Sequence, residues 1–416
     1  MRSERAGRRA QRARVVLTGA IVATLALTGC TPDPVATDNR SVEVFSWWAS
    51  GSEKLALDAL VAVFHEQHPG IEFINGAIAG GAGSAAKDVL ASRMTNGDPP
   101  DTFLIHGGVE IDEHVEAGDL QDLDALFDEL HLTANLPDAV LDAVSVDGTV
   151  YAVPADVHRA NLLWANPTVL AASGLDPAAD YDTLDQWFVA LEAIKATGRT
   201  PLAVGSTWTQ VHLLEQVLLS RLGADGYSGL WDGSTDPASP EVTAAIDDFG
   251  RLLTYTNADR DALDWQDAAQ RVVDGQAAFT VMGDWAVASF ETGGLGPATW
   301  WPVPGTVGVY DMVLDAFTLP VGSRRPEEAS DWLRTVASHE GQVAFANAKG
   351  AIPARDDVST AELGTYQRAA LAGFRSDEVV LSFTHGSAAG SAAVATVSAA
   401  VATFTAGTTG TPELQA

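Results

Sequence analysis

The chain has 416 residues, of which 46% are hydrophobic, 19% charged and 7% aromatic. That composition excludes a disordered polymer, and the length exceeds the roughly 250–300 residues at which one core stops growing, so two lobes are expected. A formal charge of −31, from 55 acidic against 24 basic side chains, excludes binding along a nucleic-acid backbone by counterion release.

The one basic cluster stands at the start. Arg2, Arg5, Arg8, Arg9, Arg12 and Arg14 precede an apolar run over 15–27, which ends Leu27-Thr28-Gly29-Cys30. A positive segment, a short apolar segment and small residues at the end make a signal peptide, too short and asymmetric for a spanning helix. Its end resembles the lipobox of bacterial lipoproteins. That resemblance implies cleavage before Cys30 and lipidation of its thiol. Cys30 is the only cysteine, so an intrachain disulfide, a thiolate metal site and a catalytic thiol are all excluded. Loss of residues 1–29, with six Arg and one Glu, takes the formal charge from −31 to −36. Residues 30–41 read as a polar, lipidated tether.

From Val42 the pattern alternates between short apolar runs and helical stripes. Val42–Ser46 reads as a strand. Ser52–Gln67 follows with a helical apolar face at 55, 57, 60, 61 and 64, and Pro69-Gly70 stops it. Ile71–Asn75 is the next strand, Ala85–Met94 the next helix and Thr102–Ile105 the third strand. This order predicts a parallel sheet covered by helices. Asp147-Gly148 predicts a turn before an extended Thr149–Val153.

A second α/β region then begins. Thr183 and Gln186 resemble a capping box that opens a helix through Lys195, and Gly198 closes it. Trp208–Leu222 and Val242–Tyr255 are helical, the run Leu263–Val273 leads to a strand at Ala277–Met282 and a helix start at Asp284, and Met312–Leu319 is extended. Pro326–Ala346 reads as one helix with Trp332, Leu333, Val336 and Phe345 on its buried side. The Ala-rich tail from Ala388 to Thr405 reads as a helix on the second lobe.

Eleven tryptophans against six tyrosines call for a use beyond packing. Trp187 and Trp332 lie in helical apolar stripes and belong to cores. Trp47 and Trp48 end the first strand, where an α/β sheet opens its ligand crevice. Strand alternation sends their rings to opposite sides, so at most one is core and the other can face that crevice. Trp265 starts a helix and Trp285 sits at a strand–helix junction, both edge positions. An indole offers a rigid apolar face that matches the C–H patches of a hexose. The hexose hydroxyls then need polar partners around the rim, because each one buried without a partner costs about 1–3 kcal/mol.

The rim candidates are Glu53, His106, Asp315, Lys349 and His385. Glu53 falls in a first helical turn, where the helix dipole alone also favours a carboxylate. His106 closes a strand before Gly107-Gly108. Asp315 interrupts an apolar extended run and must be paired or exposed, since isolated burial of a charge is prohibitive. His385 stands in Thr384-His385-Gly386-Ser387, where a plain surface loop is the competing reading.

Other chemistries find little support. Gly80–Gly83 lacks the phosphate-loop pattern, and neither a dinucleotide fingerprint nor a G-x-S-x-G elbow occurs. His65-Glu66-Gln67-His68 is one residue short of the zincin spacing. His106, Glu110 and His114 would share a helical stripe only if Gly107-Gly108 did not break it. No catalytic residue, cofactor or metal is expected. The alternatives are a secreted glycoside hydrolase using a carboxylate pair, which needs opposed groups about 5–9 Å apart, or a metal-binding lipoprotein.

At these positions the sequence resembles the extracellular solute-binding proteins of ATP-driven sugar importers, most narrowly the glucose- or mannose-binding lipoproteins. The matching passages are VEVFSWWASGSEKLALDAL (42–60), IAGGAGSAAKDVLASRMTNGDPPDTFLIHGG (78–108), YAVPADVHRANLLWANP (151–167), STWTQVHLLE (206–215), LDWQDAAQRVVDGQAAFTVMGDWA (263–286) and KGAIPARDD (349–357). The resemblance implies an α/β, two-lobed periplasmic-binding-protein-like fold with a hinge and an interlobe ligand cleft. By motif it implies sugar contacts from Trp48, Glu53, His106, Trp265, Trp285, Asp315, Lys349 and His385. Trp208, Gln210 and His212 would extend the pocket. The expected division is 42–154 as the N-terminal lobe, 155–310 as the C-terminal lobe, 311–353 as a return to the first and 354–416 as the remainder of the second. The implied partners are a neutral monosaccharide, glucose or a related hexose, and the transmembrane subunits of a permease. The protein is expected to be a monomer outside the cytoplasm, held to the cell membrane only through lipidated Cys30.

Overall fold

The computed structural model describes residues 40–79, 83–295, 300–407 and 410–415. The expected signal peptide, Cys30 and most of the tether lie outside the described residues. The strands in chain order are β1 (Ser41–Phe45), β2 (Glu72–Asn75), β3 (Thr102–His106), β4 (Ser145–Val146), β5 (Thr149–Val150), β6 (Ala152–Arg159), β7 (Leu162–Ala165), β8 (Thr200–Leu202), β9 (Ala277–Val281), β10 (Trp300–Pro302), β11 (Val309–Thr318) and β12 (Glu378–Leu381).

β1 pairs in parallel with both β2 and β3, as the strand–helix alternation predicts. β1 and β3 lie inside the sheet, and Val42, Val44, Phe103 and Ile105 are buried; such strands need apolar residues on both faces. β11 completes this six-stranded sheet by pairing with β3, β6 and β12. A second sheet of four strands runs β10-β7-β9-β8. The Asp147-Gly148 turn joins β4 to β5 as a short antiparallel pair.

Each sheet carries its own apolar core. Under the larger sheet, Trp332 meets Phe64 and Phe317 edge-on, with ring centroids 5.4 and 5.5 Å away. Under the smaller one, Trp187 meets Phe279 edge-on at 5.9 Å. Both indoles are core, as their helical stripes predict. The tail forms a helix, Ser391–Thr405, against the smaller sheet's helices. The stretch read as one helix over 326–346 is two, Pro326–Ala337 and His339–Lys349. Ser338 takes extended backbone between them, and its hydroxyl accepts from the Gly341 N–H as an N-cap. The break re-aims the second helix, which ends on Lys349.

The chain passes between the sheets after β6 and again before β11. β6 runs through the expected boundary at 154/155, and the chain leaves the larger sheet only after Arg159. Residues 354–376, expected with the second lobe, reach both sheets: Phe374 meets Tyr310 of β11 at 5.1 Å, and Tyr366 meets Trp164 of β7 at 6.2 Å and Trp300 of β10 at 5.1 Å. The two crossings are tied together. Asn161 Nδ2 donates to Thr306 Oγ1 and to the Val309 carbonyl, both at 2.9 Å, and Arg159 donates to Asn161 Oδ1 and the same carbonyl.

Candidate functional site

Strand register assembles the floor of the site. On β11, Asp315 stands opposite His106 of β3 on one side and Asp156 of β6 on the other. Residues directly opposite in a ladder share a face, so one row of three polar side chains crosses three strands. Two residues away, Val313 stands opposite His158 and adds the next row. This row lies at the carboxyl end of β3, beside the carboxyl end of β1, where an open α/β sheet places its crevice.

The walls come from distant parts of the chain. Trp47 follows β1, Glu53 lies in the first turn of the helix Gly51–Gln67, and Lys349 ends the helix His339–Lys349. Trp265 opens the helix Trp265–Val273, held there by an Asp264–Asp267 capping box. Trp285 lies in a short turn after β9, and His385 in the loop after β12. With Trp208, these side chains surround one cavity together with His106, His158, Val313 and Asp315, about 350 Å³ when the space open to solvent at its mouth is included. Glu53 and Trp208 are partly exposed and the other lining residues are buried, so the cavity is largely closed to solvent.

The structure brings together seven of the eight residues expected at the site: Glu53, His106, Trp265, Trp285, Asp315, Lys349 and His385. Trp48 stands behind that lining. Its indole is fully buried between Phe345 and Phe317, at 4.8 and 5.5 Å, while Trp47 takes the wall position with its ring 4.8 Å from His106. Trp48 still touches the site from behind, because Lys349 Nζ lies 4.9 Å from its ring centre. Trp208 extends the wall, 5.8 Å from His385 and 6.2 Å from Trp285. Gln210 turns away to the Gly205 carbonyl and Asp261, and His212 is buried beneath Trp285 and His385.

Sequence reasoning missed His158 and Asp156. The signal was present: both interrupt the apolar strand Ala152–Arg159 at a spacing of two, as Asp315 interrupts β11. His158 binds Asp284 through Nδ1 and lies 3.0 Å from Asp156 and 3.6 Å from Asp315 through Nε2. Asp284 also accepts from the Arg159 N–H at 3.0 Å and the Tyr366 hydroxyl at 2.9 Å. Burial opposes the charge on His158, yet Asp156 and Asp284 overcome it and hold the imidazolium proton well above the ordinary range. Asp156 is pushed up to about 6 by burial, against the pull of His158.

The remaining charges are paired across the cavity. Lys349 Nζ lies 3.4 Å from Glu53 Oε1. Burial lowers the affinity of Lys349 for its proton, but Glu53, Asp315 and Asp156 more than restore it. Burial raises Glu53, with Lys349 as the main counterweight. Asp315 stays below the usual carboxylate range; burial works against this, and the hydrogen bond to His158 with the charge of Lys349 outweighs it. His385 is driven well below the usual imidazole range, first by burial and then by neighbouring basic groups.

Asp156, His158 and Asp315 bring one donor atom each within 4.8 Å of one another, a spacing that suits a cation. Here those atoms form ion pairs, with Lys349 as their neighbouring positive charge. The stripe His106–Glu110–His114 does not form, because the helix begins only at Val109. His114 instead pairs with Asp119 at 2.8 Å, and Glu110 binds Lys87 at 2.8 Å.

Residues 48–343 match the family described as bacterial extracellular solute-binding protein. The chain belongs to that family. An uncharacterized ABC transporter extracellular-binding protein of Pyrococcus horikoshii is 34% identical over 387 residues, covering 90% of this chain and 87% of the relative. The xylose/arabinose-binding protein XacG of Haloferax volcanii is 29% identical, over 78% of this chain and 72% of its own. Among solved structures, a chitin oligosaccharide binding protein superimposes with a TM-score of 0.79 at 20% identity, covering 91% of this chain and 96% of that one. The likeness shows the two-lobed solute-binding fold. The family consists of binding components of ABC transporters, not enzymes, and works outside the cytoplasm. Among the described residues, no helix is long and apolar enough to cross a membrane.

Proposed function

We propose that this solute-binding protein captures a neutral monosaccharide, glucose or a related hexose, and delivers it to the transmembrane subunits of an ABC permease. One observation carries the reading. Trp47, Trp208, Trp265 and Trp285 converge with Glu53, Asp315, Lys349 and His385 on a single, largely closed cavity. Apolar faces opposed by fixed donors and acceptors complement a pyranose ring. In this reading the cavity lies between the two lobes and is the closed form of a cleft. A sugar that touches both lobes favours closure by its differential affinity for that form, and the permease reads the closed surface.

The protein acts as a monomer in this reading. Lipidated Cys30 ties it to the membrane, and the −36 body stays soluble beside an anionic envelope. Calorimetry with glucose, mannose, galactose, xylose and maltose tests the assignment. A single site of micromolar or tighter affinity for a hexose, with a shift in tryptophan fluorescence and no product, is expected. Preference for xylose or maltose overturns the hexose assignment, and turnover of a glycoside overturns the binding role.

A further inference from the structure

Behind the cavity wall, a hydrogen-bonded chain ends on His385. Ser382 follows β12 and is fully buried, and its hydroxyl lies 2.7 Å from His385 Nδ1 and 3.0 Å from Glu215 Oε1. Glu215 belongs to the helix Thr207–Asp232 and is itself buried. The same Oε1 accepts from the Tyr227 hydroxyl at 2.6 Å and the Phe383 N–H at 2.5 Å. Its other oxygen faces His212 at 3.6 Å.

We propose that Glu215 and Ser382 are positioning residues that hold His385 with its proton on Nδ1, so that the Nε2 lone pair faces the cavity and accepts from a ligand hydroxyl. The direction follows from counting protons. An ionised carboxylate can only accept, and a serine hydroxyl has one proton to give. If Ser382 gives that proton to Glu215, the proton between Ser382 and His385 belongs to the imidazole. Nδ1 is then spent behind the wall, and Nε2 is the nitrogen left to the cavity. Burial keeps the ring neutral, in agreement with this tautomer. The loop supports the arrangement. Phe383 N–H turns onto Glu215, the Ser387 N–H donates to the Ser382 carbonyl at 3.0 Å, and Gly386 takes φ +82°, which favours glycine.

The consequence is a rule of selection, which rests on the sugar-binding reading. At His385 the ligand must donate a hydrogen bond. A free hydroxyl satisfies this, whereas an O-methyl ether, a carboxylate or a phosphate oxygen at that point meets lone pair with lone pair.

Long-range nitrogen–proton NMR of the imidazoles in the full mature protein tests the tautomer directly and needs no ligand. His385 is expected to show a protonated Nδ1 and a bare Nε2 at pH 7. A proton on Nε2 overturns the proposal. In calorimetry with glucose, Ser382→Ala is expected to raise Kd at least tenfold, with the unfolding midpoint within a few degrees of the wild type, and Ser382→Thr to restore it. Unchanged affinity in Ser382→Ala also overturns the proposal. If the wild type bound none of the sugars, the sugar reading would fall, and the tautomer would still decide the relay.

Discussion

Trp47 and Trp48 are consecutive in the chain and serve opposite sides of the larger sheet. The first lies against His106 on the cavity wall, and the second packs on Phe345 and Phe317 in the core. Gly83 is part of the reason. It takes φ +98°, and a Cβ there would come within 2.9 Å of the Trp47 ring, so the backbone itself forms the support for that indole.

Both rings are buried, and only the first faces the cavity. Trp48→Ala should cost about 3–5 kcal/mol of folding free energy, the range for a large buried aromatic. Trp47 is buried too, so Trp47→Ala should also lower stability, but unlike Trp48→Ala it should raise Kd for glucose by about tenfold or more, the worth of one stacked contact. Denaturation and calorimetry on both variants check this; reversed effects would place Trp48, not Trp47, on the cavity.

Lys349 and Glu53 join the end of one helix to the start of another at 3.4 Å. Lys349→Met leaves the Glu53 carboxylate without its main counter-charge, and losing one member of a buried pair costs about 3–5 kcal/mol. Adding Glu53→Gln should recover most of that stability while sugar binding stays lost. A double-mutant cycle by urea denaturation, read beside calorimetry, measures both. Recovery of binding in the double variant would remove the pair from the site.

Asp156 carries the clearest pH signature. Its carboxyl is raised to about 6 in the fold, against about 3.9 when unfolded. A raised carboxyl disfavours the folded state wherever it is ionised, so the penalty, about 3 kcal/mol by linkage, is complete above pH 6 and vanishes as pH falls towards 4. Asp156→Asn should therefore raise stability by about 1–3 kcal/mol at pH 8 and leave it unchanged at pH 4. Urea midpoints at the two pH values test it, and an equal gain at both would contradict the assignment. His158 works in the same direction. Its raised imidazole stabilises the fold fully below its unfolded range near pH 6.5 and loses that contribution as pH rises through the higher folded value.

Gly108 holds the loop that carries His385. It takes φ +98°, and a Cβ there would lie 2.4 Å from the Ser387 carbonyl oxygen, while the Val109 N–H donates to that same oxygen at 3.0 Å. Gly108→Ala should cost about 2 kcal/mol or more in strain and weaken glucose binding, because the loop must retreat. Gly97→Ala, at φ +66° with open space around its Cβ, is the control. It should show backbone strain alone and bind as the wild type does.

Much of this protein is legible along the chain. The parallel order of β1, β2 and β3 follows from apolar runs alternating with helical stripes. The core roles of Trp187 and Trp332 follow from their periodicity, and the polar interruption at Asp315 marks the site. Such features depend on neighbours a few residues away, where backbone geometry fixes which side chains share a face. Three outcomes needed the folded chain. Which of Trp47 and Trp48 turns outward depends on Gly83 and Phe345, distant in sequence. The break at Ser338 brings Gly341 close to Leu60 of a distant helix, 3.2 Å from where a Cβ would stand, and Asp156 joins the site only because β11 sets it opposite Asp315. Local pattern assigns a residue to a face, but which residues meet across a cavity is decided by strand register and by helices packed from remote segments.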